Sequence, residues 1–209
     1  MIHDNNGARL SEGRLATPQM LIDLMVSLGR SIPVEILPER VLVRTDDTIV
    51  WWTPARERIM FFSDRGGDAA LRKINGKRYP HPPLVFKVSG SHLWIRALVQ
   101  NERPGANTSV CMAPYWNCYE NGVVCIGTMS IPRDKSVAAI EAWEQSFFQS
   151  EFTHAAGVRK HVHFPGGVLA MWQSLQGQEV FPPKYLVQQN QTLGEFVTNH
   201  DHSLRNNPA

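Results

Sequence analysis

Between Val41 and Leu98 the chain alternates short β-branched and aromatic runs with turn residues, and this pattern narrows the possible folds more than any other feature. Val41-Leu42-Val43-Arg44 and Ile49-Val50-Trp51-Trp52 flank Asp46-Asp47, which is a hairpin signal. Arg58-Ile59-Met60-Phe61-Phe62 reads as a third strand and runs into the turn-rich Ser63-Asp64-Arg65-Gly66-Gly67. Leu84–Val88 and Leu93–Leu98 are two more strands, joined by Ser89-Gly90-Ser91. Strands in close succession with short connections predict an antiparallel meander.

Helical patterns bracket the meander. Thr17 is a good N-cap with Pro18 behind it, and Leu21, Leu24, Met25 and Leu28 recur at helical spacing before Gly29, so a helix is expected over 18–28. Ser136 opens a second and longer helix near 136–150, with Val137, Ile140, Trp143, Glu144, Phe147 and Phe148 on one largely apolar face that ends before Gly157. Val168–Leu175 reads as a short third helix, and Phe181-Pro182-Pro183 interrupts regular structure. Glu102–Asn107 is a loop, and Cys111–Met129, with its Pro, Asn and Gly, does not read as one regular element. The expected class is α+β in a single domain over 17–175, with a flexible N-terminus over 1–16 and a C-terminal extension, partly a disordered tail, over 176–209.

Composition excludes several functions. With 43% hydrophobic and 19% charged residues the chain is an ordinary globular sequence, and a net charge of +2 is too small to point to nucleic acid. The basic group Arg72, Lys73, Lys77 and Arg78 reads as a solvated loop. MIHDNNGARL carries no apolar h-region and no stretch is long and apolar enough to span a membrane, so a cytoplasmic location without membrane attachment is expected. Cys111, Cys118 and Cys125 are too few for a disulfide framework, and their spacing of seven does not suit a zinc knuckle. His161 and His163 lack a third ligand in their pattern, so no metal or other cofactor is expected.

The segment Tyr115-Trp116-Asn117-Cys118-Tyr119-Glu120-Asn121-Gly122-Val123-Val124-Cys125-Ile126 carries the chemistry. By itself, Cys125 after two valines reads as a buried small hydrophobe, and Asn117 as a turn residue. In pattern the segment resembles the active-site stretch of ubiquitin-conjugating (UBC-like) enzymes, where an Asn precedes the Cys by eight residues and an Asn-Gly turn lies between, as Asn117, Asn121-Gly122 and Cys125 do here. Tyr79-Pro80-His81-Pro82-Pro83-Leu84-Val85-Phe86 resembles that family's proline-rich strand, shortened by two residues. Trp51-Trp52-Thr53-Pro54, Pro82–Phe86, Ala113–Asn117, Gly122–Gly127 and Phe152-Thr153-His154 together resemble prokaryotic ubiquitin-conjugating-enzyme family D, also called PRTRC system protein B, over roughly 40–165.

The resemblance implies a UBC-like fold and a conjugating enzyme that takes a ubiquitin-like protein from a ThiF-type activating enzyme as a thioester on Cys125 and passes it to an amine. A JAB-type protease of the same system is a further implied partner. A thiolate suits this task because it is both a good nucleophile and a good leaving group. Asn117 is the implied oxyanion donor, and His154 is either a base for the incoming amine or a cap on the helix before it. Tyr115, Asn121 and Gly122 are the expected substrate-positioning residues, Asn121-Gly122 permitting the tight turn that would expose the thiol. Tyr115-Trp116 replaces the family's usual His-Pro, and the gap between Phe86 and Asn117 is longer than usual. A non-catalytic UBC-like module that binds a ubiquitin-like protein is the alternative. A Cys/His hydrolase built on Cys125 and His154 ranks behind both, since no hydrolase motif accompanies them.

Overall fold

In this computed structural model the described residues are 15–28, 36–63, 69–153 and 161–199. They fall into two units, one up to residue 36 and one from residue 37 onward.

The first unit holds helix α1 (Pro18–Ser27). Thr17 caps it as the sequence predicts, its hydroxyl accepting the Met20 N–H at 3.2 Å, and Pro18 takes the first helical position, where no N–H is needed. The stop expected at Gly29 lies outside the described residues.

The second unit is built on a six-stranded antiparallel sheet. Its strands are β1 (Val41–Arg44), β2 (Thr48–Thr53), β5 (Leu84–Ser89), β6 (His92–Ala97), β7 (Ser109–Met112) and β9 (Gln188–Thr192), neighbours in that order. The remaining strands, β3 (Arg56–Phe62), β4 (Lys77–His81) and β8 (Glu151–Phe152), form a separate small sheet in the order β4-β3-β8. The class is α+β, as expected from the sequence.

The meander is interrupted. The third strand leaves the main sheet, pairs with β4 and returns, so β2 pairs directly with β5. Pro82 and Pro83 mark the crossing between sheets, since neither can donate a ladder hydrogen bond. Between β3 and β4 lies a short helix, α2 (Ala69–Ile74), which buries Leu71 and Ile74. Arg72 and Lys73, expected on a loop, are exposed on this helix, while Lys77 and Arg78 open β4.

One face of the main sheet carries the larger core. Trp51 stacks on Phe86 with ring centroids 5.2 Å apart. Helix α3 (Ile140–Phe148), entered through a 3-10 turn at Val137–Ala139, buries Ile140, Trp143, Glu144, Phe147 and Phe148 on one face. Glu144 brings a carboxylate into this core and is matched there. It accepts from Trp51 Nε1 at 3.1 Å and Arg40 at 3.2 Å, with Arg58 at 3.5 Å and Arg56 also in contact. A buried charge is tolerated only with such partners. Helix α4 (Gly167–Ser174) adds Trp172, whose Nε1 donates to the Pro114 carbonyl at 3.1 Å.

The opposite face is covered more lightly. Val50, Val85, Trp94, Leu98 and Val110 pack with Val123 and with Leu193 and Phe196 of helix α5 (Leu193–Thr198). Thr192 and Glu195 form a capping box at the start of this helix. Lys87, buried in β5, donates to the carbonyls of Phe196, Val197 and Asn199 at its end.

Candidate functional site

Strand β6 divides its edge between two partners. Arg96 and Ala97 pair with β7, while Leu93–Ile95 meet a short hairpin formed by residues 117–125. The Ile95 N–H donates to the Gly122 carbonyl at 2.9 Å, and the Val124 N–H to the Leu93 carbonyl at 2.8 Å. Inside the hairpin, the Tyr119 N–H donates to Val123 at 2.8 Å and the Cys125 N–H to Asn117 at 2.7 Å, with Cys118 opposite Val124. The segment that defied a regular assignment in sequence is thus β7 followed by this hairpin.

The turn follows from Asn121 and Gly122. Asn121 Oδ1 accepts the Val123 N–H at 3.1 Å, closing an Asx turn. Gly122 has φ of +88°, and a Cβ there would meet the Ile95 carbonyl and the Arg96 guanidinium at 3.2 Å. Both residues therefore shape the hairpin that ends at Cys125.

Side chains alternate across such a hairpin. Cys118 and Val124 share one face and are buried. Tyr119 and Cys125 are diagonal neighbours on the other, within reach of a long aromatic side chain. Cys125 is half-buried, Tyr119 is 42% exposed, and Ile126 beside them is exposed. The Tyr119 phenol is pushed above its ordinary range by its interaction with the neighbouring Cys125, through hydrogen bonding and charge, and by slight burial.

The other two thiols are held as thiols. Burial pushes Cys111 up to about 11, against a small opposing pull from Arg96. It pushes fully buried Cys118 further still. Neither supplies thiolate near neutral pH.

Glu151 fixes both sides of Cys125 through its main chain. The Asn117 amide donates to the Glu151 carbonyl at 3.0 Å, and the Glu151 N–H donates to Thr128 Oγ1 at 2.9 Å. Between them, a turn from Ile126 to Met129 closes at 2.7 Å. The parallel pairing of β8 with β3 brings Glu151 to this position.

The residues singled out in sequence do not all converge. Cys125, Asn117, Asn121 and Gly122 lie in one hairpin. Asn117 is 5% exposed and spends one amide hydrogen on Glu151, which leaves a second by the inventory of its side chain. Tyr115 is sealed in the core, its hydroxyl on His81 Nδ1 at 2.8 Å and its ring stacked on Phe152 and Trp172, so it holds the loop from beneath rather than touching a substrate. His154 lies outside the described residues. Tyr119 was missed; a two-residue turn at Asn121-Gly122 would have set it opposite Val124, and only the three-residue loop 120–122 sets it diagonal to Cys125.

Among the described residues, no His, Cys, Asp and Glu side chains group to hold a metal ion. His161 instead faces the Cys118 carbonyl through Nε2 at 3.0 Å. No described helix is long and apolar enough to cross a membrane.

A comparison with known families matches residues 18–189 to prokaryotic E2 family D. No curated protein and no solved structure matches the chain.

Proposed function

Because this chain belongs to prokaryotic E2 family D, whose members have a ubiquitin-conjugating-like role in general, we propose that Cys125 accepts a ubiquitin-like protein as a thioester and transfers it to an amine. One observation carries the reading. Among three cysteines, Cys125 alone reaches solvent, at the end of a hairpin braced on both sides and diagonal to Tyr119.

The chemistry runs in two steps. In the first, the Cys125 thiolate attacks the carbonyl carbon of a thioester held on the activating enzyme. A new S–C bond forms, and the activating enzyme's cysteine leaves as thiolate, so little energy is lost. In the second, a neutral amine attacks the Cys125 thioester. The amide bond forms, Cys125 leaves as thiolate, and the amine proton passes to a base.

Each neighbouring group has a part in this scheme. The Tyr119 hydroxyl donates to the sulfur as thiolate, before the first step and at the end of the second. The second Asn117 N–H donates to the oxyanion formed as the amine attacks, a contribution of about 2–4 kcal/mol for donors of this kind. Asn121 and Gly122 keep the hairpin in register with β6. The role of base stays with His154 on its sequence position alone.

The partners this reading needs are a ThiF-type activating enzyme and a ubiquitin-like protein, with a JAB-type protease as the third member of a PRTRC-type system. ATP-dependent activation places the reaction in the cytoplasm.

Charging tests the proposal. The purified chain, mixed with such an activating enzyme, its ubiquitin-like protein and ATP, gains a thiol-sensitive adduct. Cys125→Ala abolishes the adduct, while Cys111→Ala and Cys118→Ala retain it. Equal charging of the Cys125→Ala protein would replace the enzyme with a binding module.

A further inference from the structure

We infer that Arg96 is a positioning residue that ties the C-terminal β9–α5 segment to the turn carrying Cys125, so that docking of that segment sets the geometry of the reactive thiol. The inference rests on the reading of Cys125 given above.

Arg96 sits in β6 beneath the hairpin and is 3% exposed. Its donors point in two directions. Nη1 donates to the Glu120 carbonyl, inside the turn, at 2.9 Å. Nε donates to Gln191 Oε1, on β9, at 3.2 Å. Its guanidinium also lies 5.7 Å from the centre of the Phe196 ring on α5. Gly122 is pressed against the same group, where a Cβ would sit a tight 3.2 Å from its carbon. One planar cation therefore touches the turn on one side and both C-terminal elements on the other. The fixed fork of a guanidinium transmits position more strictly than a lysine ammonium would.

The C-terminal segment is also held to this face by the β7–β9 ladder, by Leu193 and Gly194 N–H bonds to the Thr108 and Ala106 carbonyls at 2.8 Å, and by the packing of Leu193 and Phe196, so Arg96 is its link to the turn rather than its anchor. Helix α5 is only six residues long, and Lys87 secures its end through three carbonyls. The family match stops at residue 189, within β9, so Gln191 and Phe196 lie beyond it. The tie thus joins a segment outside the matched stretch to the turn inside it. When Gln191 releases Arg96, the guanidinium is free to leave the Glu120 carbonyl. The turn then relaxes, and Tyr119 at its start moves off the Cys125 sulfur.

Iodoacetamide labelling of the full chain, mapped by peptide mass spectrometry, reads this directly and needs no partner protein. Gln191→Leu removes the acceptor at similar size, and Gln191→Glu keeps it. We expect Gln191→Leu to slow Cys125 alkylation by about threefold or more, because the thiolate loses a donor. Hydrogen exchange of the 119–124 amides should rise with it, while Cys111 and Cys118 stay unlabelled. Gln191→Glu should behave as wild type. A merely structural role for Gln191 would expose all three cysteines together. Wild-type alkylation and exchange in Gln191→Leu would overturn the inference. If charging of Cys125 fails while the Gln191 effect stands, the proposed reaction falls and the coupling remains.

Discussion

Cys118 and Cys125 occupy facing strands of one short hairpin, seven residues apart, yet their surroundings are opposite. Cys118 points into the core, its carbonyl capped by His161 and its thiol pushed up by burial. Cys125 points outward, beside a phenol and an exposed isoleucine. The same side chain is structural on one face and available on the other. What separates them is the alternation of the strand, since a one-residue slip within the hairpin would pair Cys118 with Cys125 and put both on one face.

The largest expected effect tests that contrast. In the native protein, iodoacetamide should label Cys125 on the order of a thousandfold faster than Cys111 or Cys118, which react only after local opening. Comparable labelling of Cys118, followed by peptide mapping, would show that the hairpin has no fixed face.

Asn117 stands next. Asn117→Ala should still permit charging but slow discharge onto lysine by about a hundredfold, the share of an oxyanion donor. It should also lower the urea-derived stability by about 1–2 kcal/mol, because the Glu151 carbonyl loses its partner. Slowed charging with normal discharge would place Asn117 in the first step instead.

Tyr119→Phe removes only the hydroxyl from the outward face. Cys125 alkylation should slow by about tenfold, with thermal stability unchanged, since one charge-assisted hydrogen bond is lost at the surface. An unchanged alkylation rate would reduce Tyr119 to a bystander.

The smallest effect concerns the inward face. Burial holds His161 below its ordinary 6.5, and it holds buried His81 well below 6.5. Below that pH the unfolded chain binds more protons than the folded one, so stability falls as pH falls, by up to about 1.4 kcal/mol per unit for each histidine. Urea midpoints at pH 7.5, 6.5 and 5.5 measure the slope. His161→Gln, which keeps a donor for the Cys118 carbonyl, should flatten part of it.

The sequence announces some of this architecture and conceals the rest, for definite reasons. Val41–Arg44, Thr48–Thr53, Leu84–Ser89 and His92–Ala97 are legible because β-branched and aromatic residues fill both faces of a buried sheet. Arg56–Phe62 is legible as a strand, but its sheet is not, because membership depends on where β4 turns back and on the break at Pro82-Pro83. The polar Gln188–Thr192 carries almost no strand signal, and its pairing with β7 is a tertiary effect. In the site, Asn117, Gly122 and Cys125 follow from local pattern. Arg96 does not, because its contact with the turn spans 24 residues and no spacing rule reaches that far. Tyr119 lies between these cases, hidden only until the hairpin register is known.

The most direct test of the central claim is to trap the acyl group on its atom. Cys125→Ser protein, incubated with the activating enzyme, the ubiquitin-like protein and ATP, should form an adduct that survives reducing agent and is cleaved by hydroxylamine, because an alkoxide leaves less readily than a thiolate. Tandem mass spectrometry should place the ester on residue 125. An adduct mapped to any other residue, or none with the Ser variant while wild type charges at Cys111 or Cys118, would contradict the account.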